Sequence, residues 1–137
     1  MSYRLLSENK YASVQLDNIK NTLLLTTKSS FIPPKEFQDI FQELSKLVPT
    51  HKIKKLIFDK RSLTVFHQAS MVWYHLIWKR DMAVFGLKKH IKILPNDIIF
   101  RKSVEIGRQK IQQEDIANVL SAITILYAEG LEEAENL

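Results

Sequence analysis

Within ten residues, Asp59-Lys60-Arg61-Ser62, Thr64, His67 and Gln68 bring together a carboxylate, cations, hydroxyls, an imidazole and an amide. Asn96, beyond a later apolar run, adds a second amide. Such residues can hold an anion. Arg61 supplies charge, the hydroxyls and amides supply donors, and a helix opening near His67 supplies free N–H groups and the positive end of its dipole. Asp59 and His67 are the one pair that could share acid–base work on the same edge. The competing reading is structural, since Asp, Ser and Asn also cap helices and close turns.

Most familiar catalytic chemistry lacks its residues. The chain has no cysteine, which removes disulfides, thiolate nucleophiles and cysteine-held metals. His51, His67, His75 and His90 show no His-x-x-His or His-Glu-x-x-His spacing. His67 and His75 would lie about 12 Å apart along one helix, too far for one metal. Three glycines, none clustered, leave no Gly-rich phosphate loop, and no Gly-x-Ser-x-Gly occurs. No metal and no cofactor is therefore expected, and binding is favoured over catalysis.

The second feature is a helix face. In Met71-Val72-Trp73-Tyr74-His75-Leu76-Ile77-Trp78 the core stripe is assigned to Ala69, Val72, Trp73, Leu76 and Ile77. Met71, Tyr74, Trp78 and Met82 then form a second apolar face that needs its own cover. A homodimer or protein partner is the favoured cover, because Trp, Tyr and Met are enriched in interface cores. Burial under a neighbouring helix, or a small apolar or lipid-like ligand beside the 67–82 helix, are the alternatives.

Charge is uneven. Residues 50–110 carry fourteen Lys/Arg against four Asp/Glu, whereas the stretch after Lys110 carries six acids and no base. The two parts could attract an acidic partner or each other. No RNA-recognition aromatic motif or zinc finger accompanies the bases, which argues against nucleic acid.

The elements that must position these residues follow from periodicity. Ala12, Val14 and Leu16 alternate with Ser13, Gln15 and Asp17 as in a half-buried strand. Asp17-Asn18-Ile19-Lys20-Asn21 supplies a turn, and Thr22–Thr27 the second arm of an antiparallel hairpin. Pro33-Pro34 opens a helix whose stripe is Phe37, Ile40, Phe41, Leu44, Leu47 and Val48, and Pro49 ends it. Lys55–Asp59 is a buried strand, 67–82 a helix, and His90–Pro95 a strand. Asn96 or Asp97 caps a helix with Phe100, Val104, Gly107 and Ile111 on its face. Ile123–Tyr127 is a last strand, and Leu131, Ala134 and Leu137 face inward from a terminal helix; the stretch 113–121 is ambiguous. The expectation is one α/β domain over 1–137, β-β-α-β-α-β-α-β-α, with a mixed, mostly parallel sheet of four to five strands opened by the hairpin. No apolar run approaches a bilayer span and the N-terminus lacks a signal-peptide core, so the expected address is cytoplasmic.

This order resembles the STAS fold of anti-sigma-factor antagonists, in its SpoIIAA-like branch. Leu56-Ile57-Phe58-Asp59 is similar to the family's central strand ending in Asp, and Ile125–Ala134 to its final strand and acidic helix. The resemblance implies a small regulatory module acting through protein contacts, in a branch some of whose members are linked with lipid. It also implies a phosphorylated Ser or Thr at the start of the second helix. That slot reads His67-Gln68-Ala69-Ser70 here, with only Ser70 near the matching position, and the resemblance implies phosphorylation at Ser70 or Thr64.

Overall fold

The computed structural model describes residues 2–114 and 123–137. Among these, six strands form one sheet whose spatial order is its sequence order: β1 (Arg4–Glu8), β2 (Ala12–Asp17), β3 (Thr22–Thr27), β4 (Lys55–Asp59), β5 (Lys89–Ile93) and β6 (Thr124–Ala128). The pairs β1–β2 and β2–β3 are antiparallel, and every later pair is parallel. The α/β class and the hairpin-led mixed sheet thus hold. At the β2–β3 turn, Asp17 Oδ1 accepts the backbone N–H groups of Ile19 and Lys20 at 2.9 and 3.1 Å. Asn21 then takes the left-handed conformation that Asn tolerates, at φ 50°.

Strand β1 adds to the expected four or five. It escapes a periodicity search because it is an edge strand, mostly exposed, with its register broken between Leu5 and Ser7. An edge strand with a bulge has little reason to alternate apolar with polar residues.

Helix α1 (Pro34–Thr50) carries proline in its first turn and reaches one residue past Pro49. Helix α4 (Ile98–Glu114) is capped by Asp97 rather than Asn96, its Oδ1 accepting from Ile99 and Phe100 at 2.8 and 3.2 Å. Its Phe100, Gly107 and Ile111 are buried and Val104 half-buried, on the face expected. Most of the ambiguous stretch 113–121 lies outside the described residues. Helix α5 (Leu131–Asn136) closes the chain. No helix among the described residues is long and apolar enough to cross a membrane.

Helix α1, the helix over 67–82 and helix α4 share one core with the sheet face of Val14, Leu25, Leu56 and Phe58. On the opposite face α5 covers Leu24, Ile57, Ile91 and Ile93. The basic and acidic parts of the sequence meet there. Lys55 and Lys89 donate to the carbonyls of Glu135 and Leu137 at 3.0 and 2.9 Å, cations at a helix C-terminus as its dipole favours.

The helix over 67–82 needs a correction. It is built as α2 (Gln68–Trp73), a π-helical turn (Tyr74–Trp78) and α3 (Lys79–Val84), running on without a break. Met71, Tyr74, Trp78 and Met82, expected at a dimer or partner interface, are each at most 7% exposed and lie in the chain's own core. Tyr74 and Trp78 pack on Phe41 of α1 with ring centres 4.6 and 4.9 Å away. The indole N–H of Trp78 donates to the Phe41 carbonyl at 2.9 Å. The supposed core stripe is the outer flank, with Ile77 exposed and Val72, Trp73 and Leu76 half-buried. The physical reason is that the buried side, Met71, Tyr74, His75, Trp78, Lys79 and Met82, keeps ordinary helical spacing but includes two basic residues, which makes the wholly apolar flank the more core-like of the two in sequence.

Candidate functional site

The residues singled out from the sequence are largely occupied in holding loops. Asp59 takes Arg61 in a fork, with Nη2 2.7 Å and Nε 3.0 Å from its carboxylate oxygens. Ser62 bridges the Thr27 hydroxyl at 2.6 Å and the Ser29 carbonyl at 2.9 Å. Thr64 donates to the Ser30 carbonyl at 3.3 Å, and Asn96 is exposed. His67 is the N-cap of α2, its Nδ1 accepting from the Ser70 backbone N–H at 3.3 Å and lying 3.1 Å from the Ser70 hydroxyl. Asp59 and His67 therefore each have another partner, and Ser70 is tied to His67. Of the expected set, Gln68 alone lines the cavity that opens onto the buried lysines, where its amide donates to the Gly107 carbonyl at 3.3 Å.

The unusual chemistry lies one layer deeper. Lys60, Lys79 and Lys92 are each 2–3% exposed, and His75 and His90 are buried beside them. Each arrives from a different local constraint. Lys60 follows the end of β4, its backbone N–H bound to the Ile93 carbonyl at 2.8 Å, and it turns inward over the Phe58 ring at 4.7 Å. Strand β5 alternates, so that Ile91 and Ile93 face α5 while His90 and Lys92 face the helical layer. The π turn contributes His75, and the next residue along that side, Lys79, lies one turn on.

These groups bond to one another. Lys79 Nζ lies 2.8 Å from His75 Nδ1, and Lys92 Nζ lies 2.9 Å from His75 Nε2. The Tyr74 hydroxyl bonds the imidazole of His90. From α4, Arg108 reaches the Tyr127 hydroxyl at 3.0 Å and lies over its ring. Among the described residues no carboxylate pairs with any of the three lysines. Charges buried this way are costly unless neutralised, by proton loss or by a ligand. Burial pushes the Lys60 ammonium down to about 8. Lys79 and Lys92 are held well below the ordinary lysine range, by burial first and then by repulsion from Lys60. Burial likewise holds His75 and His90 well below the usual imidazole value, with Lys92 and Lys79 the largest further contributors respectively.

A narrow cavity of about 20 Å³, room for about one water molecule, opens onto this cluster, lined by Lys60, Lys92, His75, Arg108, Gln68 and Met71 among others. Outside it runs a surface groove with Val65, Ile99, Phe100 and Ile106, and Phe66, Gln68 and Gly107 form the wall common to both. Gly107 matters at this wall, because a Cβ there would come within 2.7 Å of Gln68 Oε1. Comparison with family models, with curated proteins and with solved structures finds no match to the chain.

The sequence carried one signal for the buried cluster. Parallel inner strands are apolar on both faces as a rule, whereas His90-Ile91-Lys92-Ile93 alternates basic with apolar. Lys60 and Lys79 gave no such sign, each sitting in a basic pair that resembles ordinary solvated surface.

Proposed function

We propose that this chain is a ligand-binding module of STAS-like type whose ligand is a small anion, a carboxylate or phosphate, bound against Lys60, Lys92 and Arg108 once the wall of Phe66, Gln68 and Gly107 moves to admit it. The observation that carries this is the concentration of buried cations around a cavity with no carboxylate among the described residues to balance them. An anion entering there gains charge-assisted hydrogen bonds from groups already desolvated. The element order supports the STAS-like assignment, and control through protein contacts belongs to the same reading.

Titration calorimetry with inorganic phosphate and with pyruvate, against chloride at matched ionic strength, tests the site. Lysines held below their usual range should take up protons as the anion arrives, so the heat should vary with the buffer's ionisation enthalpy and affinity should fall as pH rises. Lys60→Met should weaken binding roughly 10- to 100-fold, the weight of one charge-assisted bond. Heats that match chloride, or a Lys60→Met protein that binds as the wild type does, would remove the site.

The adjoining groove favours a second reading, an amphiphilic anion with its head in the cavity and an apolar tail along Ile99 and Ile106. Octanoate should then bind more tightly than acetate, and Ile106→Asp should erase the difference.

A further inference from the structure

Lys60 is a donor in want of an acceptor. Its side chain is buried, and among the described residues its Nζ meets one hydrogen-bond partner, the Met71 thioether, a weak acceptor 3.9 Å away. Lys92 also has N–H groups to spare. Its Nζ meets His75 Nε2 at 2.9 Å. That bond leaves two N–H groups over, whether the nitrogen is an amine accepting from the ring or an ammonium donating to it. Arg108 gives one N–H to the Tyr127 hydroxyl at 3.0 Å and keeps the others. All three side chains line the narrow cavity.

An occupant of that space has to be small and has to accept. Room for about one water leaves two candidates, a water molecule or a monatomic anion. A water brings two hydrogens of its own, each needing an acceptor. Both ring nitrogens of His75 are already taken, by Lys79 and Lys92. Acceptors remain in the wall, where the Gly107 carbonyl already takes the Gln68 amide. Phe66, Val104 and Ile111 make the rest of the lining apolar. A halide ion has no hydrogens to place and accepts from every direction. It also brings the negative charge that no carboxylate supplies among the described residues. Chloride and bromide are little larger than water and weakly hydrated, so leaving the solvent costs them less than it costs phosphate.

We propose that the cavity, with its wall closed, binds one halide ion, chloride or bromide, held by Lys60, Lys92 and Arg108. The halide site shares its donors with the anion site above and so rests on that reading, but it needs no movement of Phe66, Gln68 and Gly107. Chloride and phosphate then compete, the first for the closed cavity and the second for the open one. Where chloride is present, the heat of phosphate binding includes its displacement.

The NMR linewidth of chloride tests the site, because the signal broadens while the ion visits an asymmetric protein environment. Native protein should broaden it saturably, and bromide and phosphate should each narrow it again by displacement. Lys60→Met should weaken chloride binding at least roughly tenfold, the weight of one charge-assisted bond. Wild-type crystals soaked in bromide should show an anomalous peak between Lys60, Lys92 and Arg108, which locates the ion even if the variant fails to fold. Broadening that never saturates, broadening that Lys60→Met leaves unchanged, or bromide found only at exposed lysines such as Lys52 overturns the halide site. Phosphate heat without chloride broadening overturns the halide alone. Chloride broadening that phosphate does not relieve overturns the phosphate and carboxylate reading alone, and the absence of both signals overturns both.

Discussion

Raising the pH from about 8 to about 10 is expected to make this protein more resistant to urea, the reverse of the usual alkaline trend. The unfolded chain protonates its lysines at ordinary values, whereas the folded chain holds Lys60 near 8. Between those values the unfolded state binds more protons, so stability rises with pH. For Lys60 alone the gain over this range is about 2 kcal/mol, one pKa unit being about 1.4 kcal/mol. Lys79 and Lys92, lowered in the same direction, add gains of the same sign. Above pH 10 the trend reverses, because Tyr3 is raised to about 12 and Tyr74 is raised as well, so the unfolded chain releases those protons first. On the acid side, His75 and His90 titrate low in the folded state, and stability is lost as pH falls below the ordinary histidine value. Urea midpoints across this range measure the profile. In Lys60→Met the alkaline rise should shrink and the stability near pH 7 should increase by up to about 3 kcal/mol. A wild-type profile that is flat or falling between pH 8 and 10 would show the lysines to be charged and paired.

Trp78→Ala is expected to destabilise by roughly 3–5 kcal/mol, the range for deleting a fully buried large aromatic side chain. The indole fills space between α1 and the π turn, edge-on to Phe41 and beside Tyr74 at 5.7 Å. Its N–H bond can be lost without stranding the Phe41 carbonyl, which the Ser45 hydroxyl also reaches at 2.8 Å. The loss is therefore mostly packing and cavity. Its signature separates a core residue from an interface residue. The unfolding midpoint of wild type and variant should be independent of protein concentration, whereas a face holding two chains together would make both vary with it.

Periodicity carried most of the fold because most elements have one clean buried side. The stripe of Phe37, Ile40, Phe41, Leu44 and Val48 in α1 is buried as expected, and so is the Ala12, Val14, Leu16 face of β2. Periodicity misled in the helix over 67–82 because both faces carry helical spacing and the buried one includes His75 and Lys79, so the wholly apolar stripe reads as the core side. The candidate site was less legible for a different reason. Loop residues such as Asp59, Ser62 and His67 look chemical, yet their polar groups are used in closing turns and capping α2. Lys60 and Lys79 look like surface, and their burial becomes visible only once the sheet and helices are placed around them. Gln68 was found because it shares the sequence neighbourhood of the loop while its side chain crosses to α4.

The sequential order of the sheet has a bearing on how the chain is made. Each strand hydrogen-bonds the one synthesised just before it, so no strand must wait for a distant partner to emerge. Helices α1, α2–α3 and α4 each join neighbouring strands, which keeps loop closure local and the search short. A nascent chain of this topology can add one strand and one helix at a time to an existing edge, each addition pairing the backbone N–H and C=O groups left open by the last. Lys92 would then meet His75 and Lys60 when β5 docks, and Arg108 would follow with α4.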